Sequence, residues 1–156
     1  MTGMIRTEKR LRLCVALLIL NLTFIWGNSL LPGETSAAFS DWVKGLLLPI
    51  LPEGLSSGGG GGLLRKVAHF TEFAALGMCL KWLLSMLEKK AWTGIIWGGM
   101  AACVDEMIQI FVPGRGPGIK DVGIDVLGVC TGIFLLCFGH TLLKRIKNIS
   151  FRRKST

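Results

Sequence analysis

The sequence predicts an all-α, polytopic membrane protein with four transmembrane helices and both termini in the cytoplasm. Three observations carry that prediction. Of 156 residues, 51% are hydrophobic and the mean hydropathy is +0.55, too apolar for an ordinary soluble domain of this size. The apolar residues gather in four runs, about 13–31, 67–87, 91–112 and 122–143, each near the ~20 residues that cross a hydrocarbon core of roughly 30 Å. The charges then divide by side. Arg6, Lys9, Arg10 and Arg12 precede the first run, Lys81, Lys89 and Lys90 flank the junction of the second and third, and Lys144, Arg145, Lys147, Arg152, Arg153 and Lys154 follow the fourth. The segment from Pro32 to Leu64 holds Glu34, Asp41 and Glu53 against Lys44 alone. Positive residues mark the cytoplasmic face, so two loops point outward.

The same placement argues against nucleic acid as the partner of a chain with net charge +8. The basic ends read membrane topology and anionic headgroups, and the lipid bilayer is the first partner expected. The organisation is a basic N-terminus at 1–12, a membrane domain at 13–143 and a basic tail at 144–156. A basic start followed by an apolar run also describes a secretory signal, with Ser36-Ala37-Ala38 as a small-residue cleavage site. The run is longer than a signal core, which favours a retained helix.

Between the first and second runs lies an outer loop, 32–64, with glycine at every position from Gly58 to Gly62. That tract reads as a flexible tether. Before it, the stretch from Trp42 to Pro52 is apolar but too short and proline-broken to cross a bilayer, and Trp42 suits the headgroup level. Few residues join the second and third runs, so these must be antiparallel neighbours. Pro113, Gly114, Gly116, Pro117 and Gly118 interrupt helix before the fourth, placing Arg115 and Lys120 at the outer surface. Cys14, Cys79, Cys103, Cys130 and Cys137 all fall in apolar runs without zinc-ligand spacing and read as packing residues.

Each of the last three helices carries polar groups toward its outer end. Such groups cost roughly 2.5–3.5 kcal/mol each inside a membrane segment and persist where they pair, face a bundle interior or act on a substrate. At 100° per residue, Arg65, His69, Glu72 and Leu76 fall within about 60° of one another, with Lys66 beside them. Gly94, Gly98, Ala102, Asp105 and Gln109 form one stripe with Glu106 at its edge. Asp121, Asp125, Gly128, Gly132 and Gly139 form another. Small residues let helices approach closely, so the acids continuing those stripes face protein. Adjacent Asp105 and Glu106 need a proton or a cation such as Arg115 or Arg65 between them. Asp121, at a helix start, also serves the helix dipole.

Lys66-Val67-Ala68-His69-Phe70-Thr71-Glu72-Phe73 with Leu76-Gly77, then Asp105-Glu106-Met107-Ile108-Gln109 through Pro113-Gly114-Arg115, then Asp121 and Asp125 with Gly128 and Gly132, resembles the VanZ-like family of small bacterial membrane proteins. The match covers roughly 65–135. The family takes its name from a member associated with low-level teicoplanin resistance, so the resemblance implies a cell-envelope role. Where many relatives carry Asn in the final helix this chain has Asp125, which adds one acid.

Three functions fit these residues. One is a binding protein whose rim, Arg65, Lys66, Arg115 and Lys120, takes the phosphate or carboxylate of a lipid-linked envelope component, with Glu72, Asp105, Glu106, Gln109, Asp121 and Asp125 beneath. Another is an enzyme with His69 or Glu106 as general acid or base and a divalent ion held by Glu72, Asp105, Asp121 and Asp125. Oxygen-rich ligands with one imidazole suit Mg²⁺ or Mn²⁺. No G-x-S-x-G, H-E-x-x-H or phosphate-loop motif is present, and the sequence assigns no cofactor. The third is a proton-coupled carrier, which would need a homo-oligomer to complete a path across the membrane.

Overall fold

The computed structural model describes residues 2–47, 60–116 and 118–154. All of its regular structure is helical: α1 (Thr2–Ser29), α2 (Gly33–Leu47), α3 (Gly60–Met86), α4 (Trp92–Ile110) and α5 (Ile119–Lys154). α3 is central and touches each of the other four.

Among the described residues, three helices are long and apolar enough to cross a membrane, over Thr7–Ser29, Leu63–Met86 and Ile119–Ile146. α4 has 19 residues, and Asp105, Glu106 and Gln109 near its end dilute the apolar run that the sequence marks as a fourth span. The apolar residues outside the core point outward, Ile19 and Leu20 of α1 and Phe134 of α5 among them. Such a surface suits lipid rather than water.

α1 stops at Ser29 ahead of Pro32, whose ring fixes the backbone and whose nitrogen has no hydrogen to donate. α2 follows within four residues and lays a face of Phe39, Trp42 and Leu46 outward. The Phe39 and Trp42 rings stack 5.9 Å apart. The apolar stretch expected at the headgroup level is therefore helical as far as Leu47, and its remainder to Pro52 lies outside the described residues. Gly60, Gly61 and Gly62 form the first turn of α3, so that part of the glycine tract is helix; Gly58 and Gly59 lie outside the described residues. Each such glycine costs a helix about 1 kcal/mol against alanine, which the long apolar helix behind them offsets.

α3 closes with Lys89 N–H donating to the Leu84 carbonyl at 2.8 Å while Glu88 takes a left-handed conformation, φ 54°. That is the six-to-one bond of a Schellman end, with a glutamate where glycine is usual. The chain reverses and α4 packs antiparallel to α3. Between α4 and α5, Gly114 at φ 73° turns the chain so closely over the start of α2 that a Cβ on Gly33 would overlap the Gly114 carbonyl. The Gly33 N–H donates to the Pro113 carbonyl at 3.0 Å in that contact. α5 has 36 residues, about 54 Å at 1.5 Å rise, and so carries helix well past the apolar run into the basic tail.

The core joins Ile25 of α1, Phe73, Leu76 and Leu80 of α3, Ala101 and Ala102 of α4, and Val129 and Ile133 of α5. Small residues set its closest approach. A Cβ on Gly77 would overlap the Val129 carbonyl, and one on Gly132 the Ala74 carbonyl, so α3 and α5 meet backbone to backbone. Gly94, Gly98 and Ala102 are buried along α4, as their shared stripe predicts.

Candidate functional site

The C-terminal ends of α1 and α4 and the N-terminal ends of α3 and α5 converge at one end of the bundle, and the polar residues of all four meet there. Most hydroxyls elsewhere bond within their own helix: Thr71 to the Ala68 carbonyl, Ser85 to Lys81, Thr131 to Leu127 and Thr141 to Cys137. The acids instead reach across helices.

Asp105, fully buried on α4, is the hub. Its Oδ1 accepts from the Ser29 hydroxyl of α1 at 2.7 Å and its Oδ2 from the Gln109 amide at 2.9 Å; Gln109 also donates to the Ser29 hydroxyl at 3.1 Å. One turn of spacing between Asp105 and Gln109 permits that bond within α4. Beside this group, the Asn28 amide donates to Glu72 Oε1 of α3 at 2.9 Å. Glu106 accepts the Gly118 backbone N–H at 2.7 Å, which ties the end of α4 to the start of α5.

His69 stands between two acids, its Nδ1 3.8 Å from both Asp105 Oδ2 and Asp125 Oδ1, too far for a hydrogen bond to either. Its side chain is 14% exposed; both aspartates are fully buried. Neither oxygen of Asp125 has a hydrogen-bond partner among the described residues, nor does Glu72 Oε2. Unit charges about 4 Å apart interact by about 4 kcal/mol at an effective dielectric of ~20, so carboxylates this crowded need a cation or protons among them.

A narrow cleft of about 10 Å³, room for about one water molecule, opens over these groups. Arg65, Lys66, His69, Glu106, Gln109, Asp121 and Asp125 line it together with Ile124. Seven of the eleven residues singled out in the sequence thus share one cleft; Lys120, expected at its rim, is exposed and does not line it. Glu72 and Asp105 lie against α1. Arg115 is also turned away: its Nε donates to the Leu31 carbonyl at 3.1 Å and its terminal nitrogen to the Asn28 carbonyl at 2.8 Å. The guanidinium closes the C-terminal end of α1, where the helix leaves carbonyls without partners. Burial, and then the nearby Arg65 guanidinium, lower its pKa from the usual arginine value, while Asp105, Glu106 and Glu72 oppose that shift. Asp121 lies in the first turn of α5, where an acid complements the helix dipole.

Sequence reasoning did not place Asn28 and Ser29 in this cluster. Their signal was a polar pair at the end of an otherwise apolar run, the mirror of the polar ends on the other helices.

A chain whose described regular structure is all helical, with helices long and apolar enough to cross a membrane and an acid-rich cleft at one end of the bundle, fits the class of small integral membrane proteins. The order and spacing of its motifs have a match: the model of the VanZ/LLP1 family covers residues 11–143, and the chain belongs to that family. Among the curated proteins and the solved structures, neither comparison finds a match.

Proposed function

We propose that this chain is a four-span protein of the bacterial cell membrane, both termini cytoplasmic, whose outward-facing cleft binds the phosphate or carboxylate of an anionic envelope component. The charge asymmetry of the sequence supports the orientation, and α4, antiparallel to α3 and packed among the longer helices, serves as the fourth span. Its acids are buried against protein, so the helix presents little charge to lipid.

The observation that carries the reading is the pair Arg65 and Lys66 at the mouth of the cleft. Among the described residues neither forms an ion pair, although carboxylates crowd the floor below. Cations kept free beside a cleft suit an incoming anion. Arg115, engaged with α1, acts as a brace for the cleft.

The test is binding of a polyprenyl diphosphate to protein in nanodiscs of neutral lipid. Charge-assisted hydrogen bonds contribute about 1.5–3 kcal/mol each, so Arg65→Ala with Lys66→Ala is expected to raise Kd at least ~10-fold. Glu106→Gln keeps an acceptor for the Gly118 N–H and should change Kd by less than about 3-fold. Equal loss in both, or unchanged binding in the double variant, refutes the reading. The envelope role, including a contribution to glycopeptide tolerance, is tested by survival of cells carrying wild type, the deletion, or membrane-inserted His69→Ala. His69→Ala cells surviving like wild type would remove the cleft from that role.

A further inference from the structure

We infer that His69, Asp105 and Asp125 form a binding site for one divalent transition-metal ion, with Zn²⁺ or Mn²⁺ as its occupant. One ligand atom from each of the three lies within 4.8 Å of the others, and they come from three different helices. Three protein ligands are the usual number at a zinc site that keeps a position open, and imidazole nitrogen and carboxylate oxygen are both zinc donors. Ligands about 2.1 Å from a tetrahedral ion stand about 3.4 Å apart. The two His69 to aspartate distances of 3.8 Å therefore need to close by less than an ångström.

An acid cluster alone would not carry this inference. Asp125 supplies an independent observation: it is fully buried, it approaches His69, and both of its oxygens lack a hydrogen-bond partner among the described residues. Buried carboxylates are ordinarily paired, hydrogen-bonded or bound to metal. Ser29 and Gln109 already bond the Asp105 carboxylate and fix its orientation, as the outer partners of metal-ligating carboxylates do. His69 and Asp125 also line the cleft, so the remaining coordination positions of a bound ion would face it. The inference stands independently of the anion-binding reading, since it concerns the floor of the cleft and not its rim.

The experiment uses untagged full-length protein in detergent, stripped with chelator and titrated with Zn²⁺, Mn²⁺, Mg²⁺ and Co²⁺. One ion per chain is expected by elemental analysis after gel filtration, with affinity falling from Zn²⁺ to Mn²⁺ to Mg²⁺. Metal at ~100-fold excess over Kd should raise the thermal midpoint by about 5–10 °C. His69→Ala and Asp125→Asn should lose both the ion and the shift, while Glu34→Gln, an exposed acid of α2, keeps them. In chelator, Asp125→Asn should melt at or above the wild-type midpoint, because it removes an unpaired buried acid; that separates loss of metal from loss of fold. The Co²⁺ visible spectrum of wild type needs no variant. No spectral change and no midpoint shift in wild type, or retention of the ion by both variants, overturns the inference.

Discussion

Replacing Gly132 by leucine is expected to destabilise the folded protein by roughly 3 kcal/mol or more. A Cβ at that position would overlap the Ala74 carbonyl and lie 3.0 Å from the Met78 nitrogen, and both are backbone atoms of α3 that no rotamer change can move. Forcing a side chain into a packed contact costs typically 1–3 kcal/mol and more when backbone must shift. Against a net stability of about 5–15 kcal/mol, a cost of roughly 3 kcal/mol or greater removes about a fifth to three fifths of it. The matched control lies two turns further along the same helix. A Cβ on Gly139 would meet nothing within 4 Å, so Gly139→Leu should not destabilise the fold and should gain up to about 1 kcal/mol of helix propensity. Protein level in isolated membranes and the thermal midpoint in detergent give the comparison. Wild-type midpoints for Gly132→Leu would mean that α3 and α5 do not pack through this stripe.

The second large effect is expected at Asp105. Asp105→Ala removes the acceptor shared by Ser29 and Gln109 and leaves a void beside His69 in the buried part of the bundle. Breaking a buried charged network by deleting one partner costs about 3–5 kcal/mol. Asp105→Asn keeps the volume and one acceptor oxygen, and the Ser29 hydroxyl can accept from its amide, so about 1–2 kcal/mol is expected there. A double-mutant cycle with Ser29→Ala should return a coupling of about 1–3 kcal/mol, because the two residues share one hydrogen bond and one partner. Additive effects would show that the bond between α1 and α4 adds nothing to stability.

Much of this arrangement was legible because helical periodicity and residue size are local properties. The stripe of Gly94, Gly98 and Ala102 told which face of α4 is buried, and Gly128 and Gly132 told which face of α5 packs tightly. The polar ends of three helices were legible for the same reason. Partner choice was not. Arg115 follows an outer helix end and reads as a free rim cation, yet it bonds carbonyls of α1 and the turn after it, more than 80 residues away in the chain. Asn28 and Ser29 are small, uncharged and easily taken for packing residues until Glu72 and Asp105 are seen opposite them. The extension of α5 through the basic tail and the helical state of Gly60–62 also escaped, since a long helix imposes its conformation on neighbours of weak preference.

The bonds from Asn28 to Glu72 and from Ser29 to Asp105 set a timetable for biogenesis. Their partners are encoded 44 and 76 residues later, which synthesis at ~5–20 residues per second takes about 2–9 s and 4–15 s to supply. Throughout that interval the C-terminal end of α1 lacks the partners that Asn28 and Ser29 bond in the finished bundle. The first helix thus enters the bilayer as a provisional anchor, and its C-terminal end becomes part of the bundle only when α3 and α4 arrive to receive it.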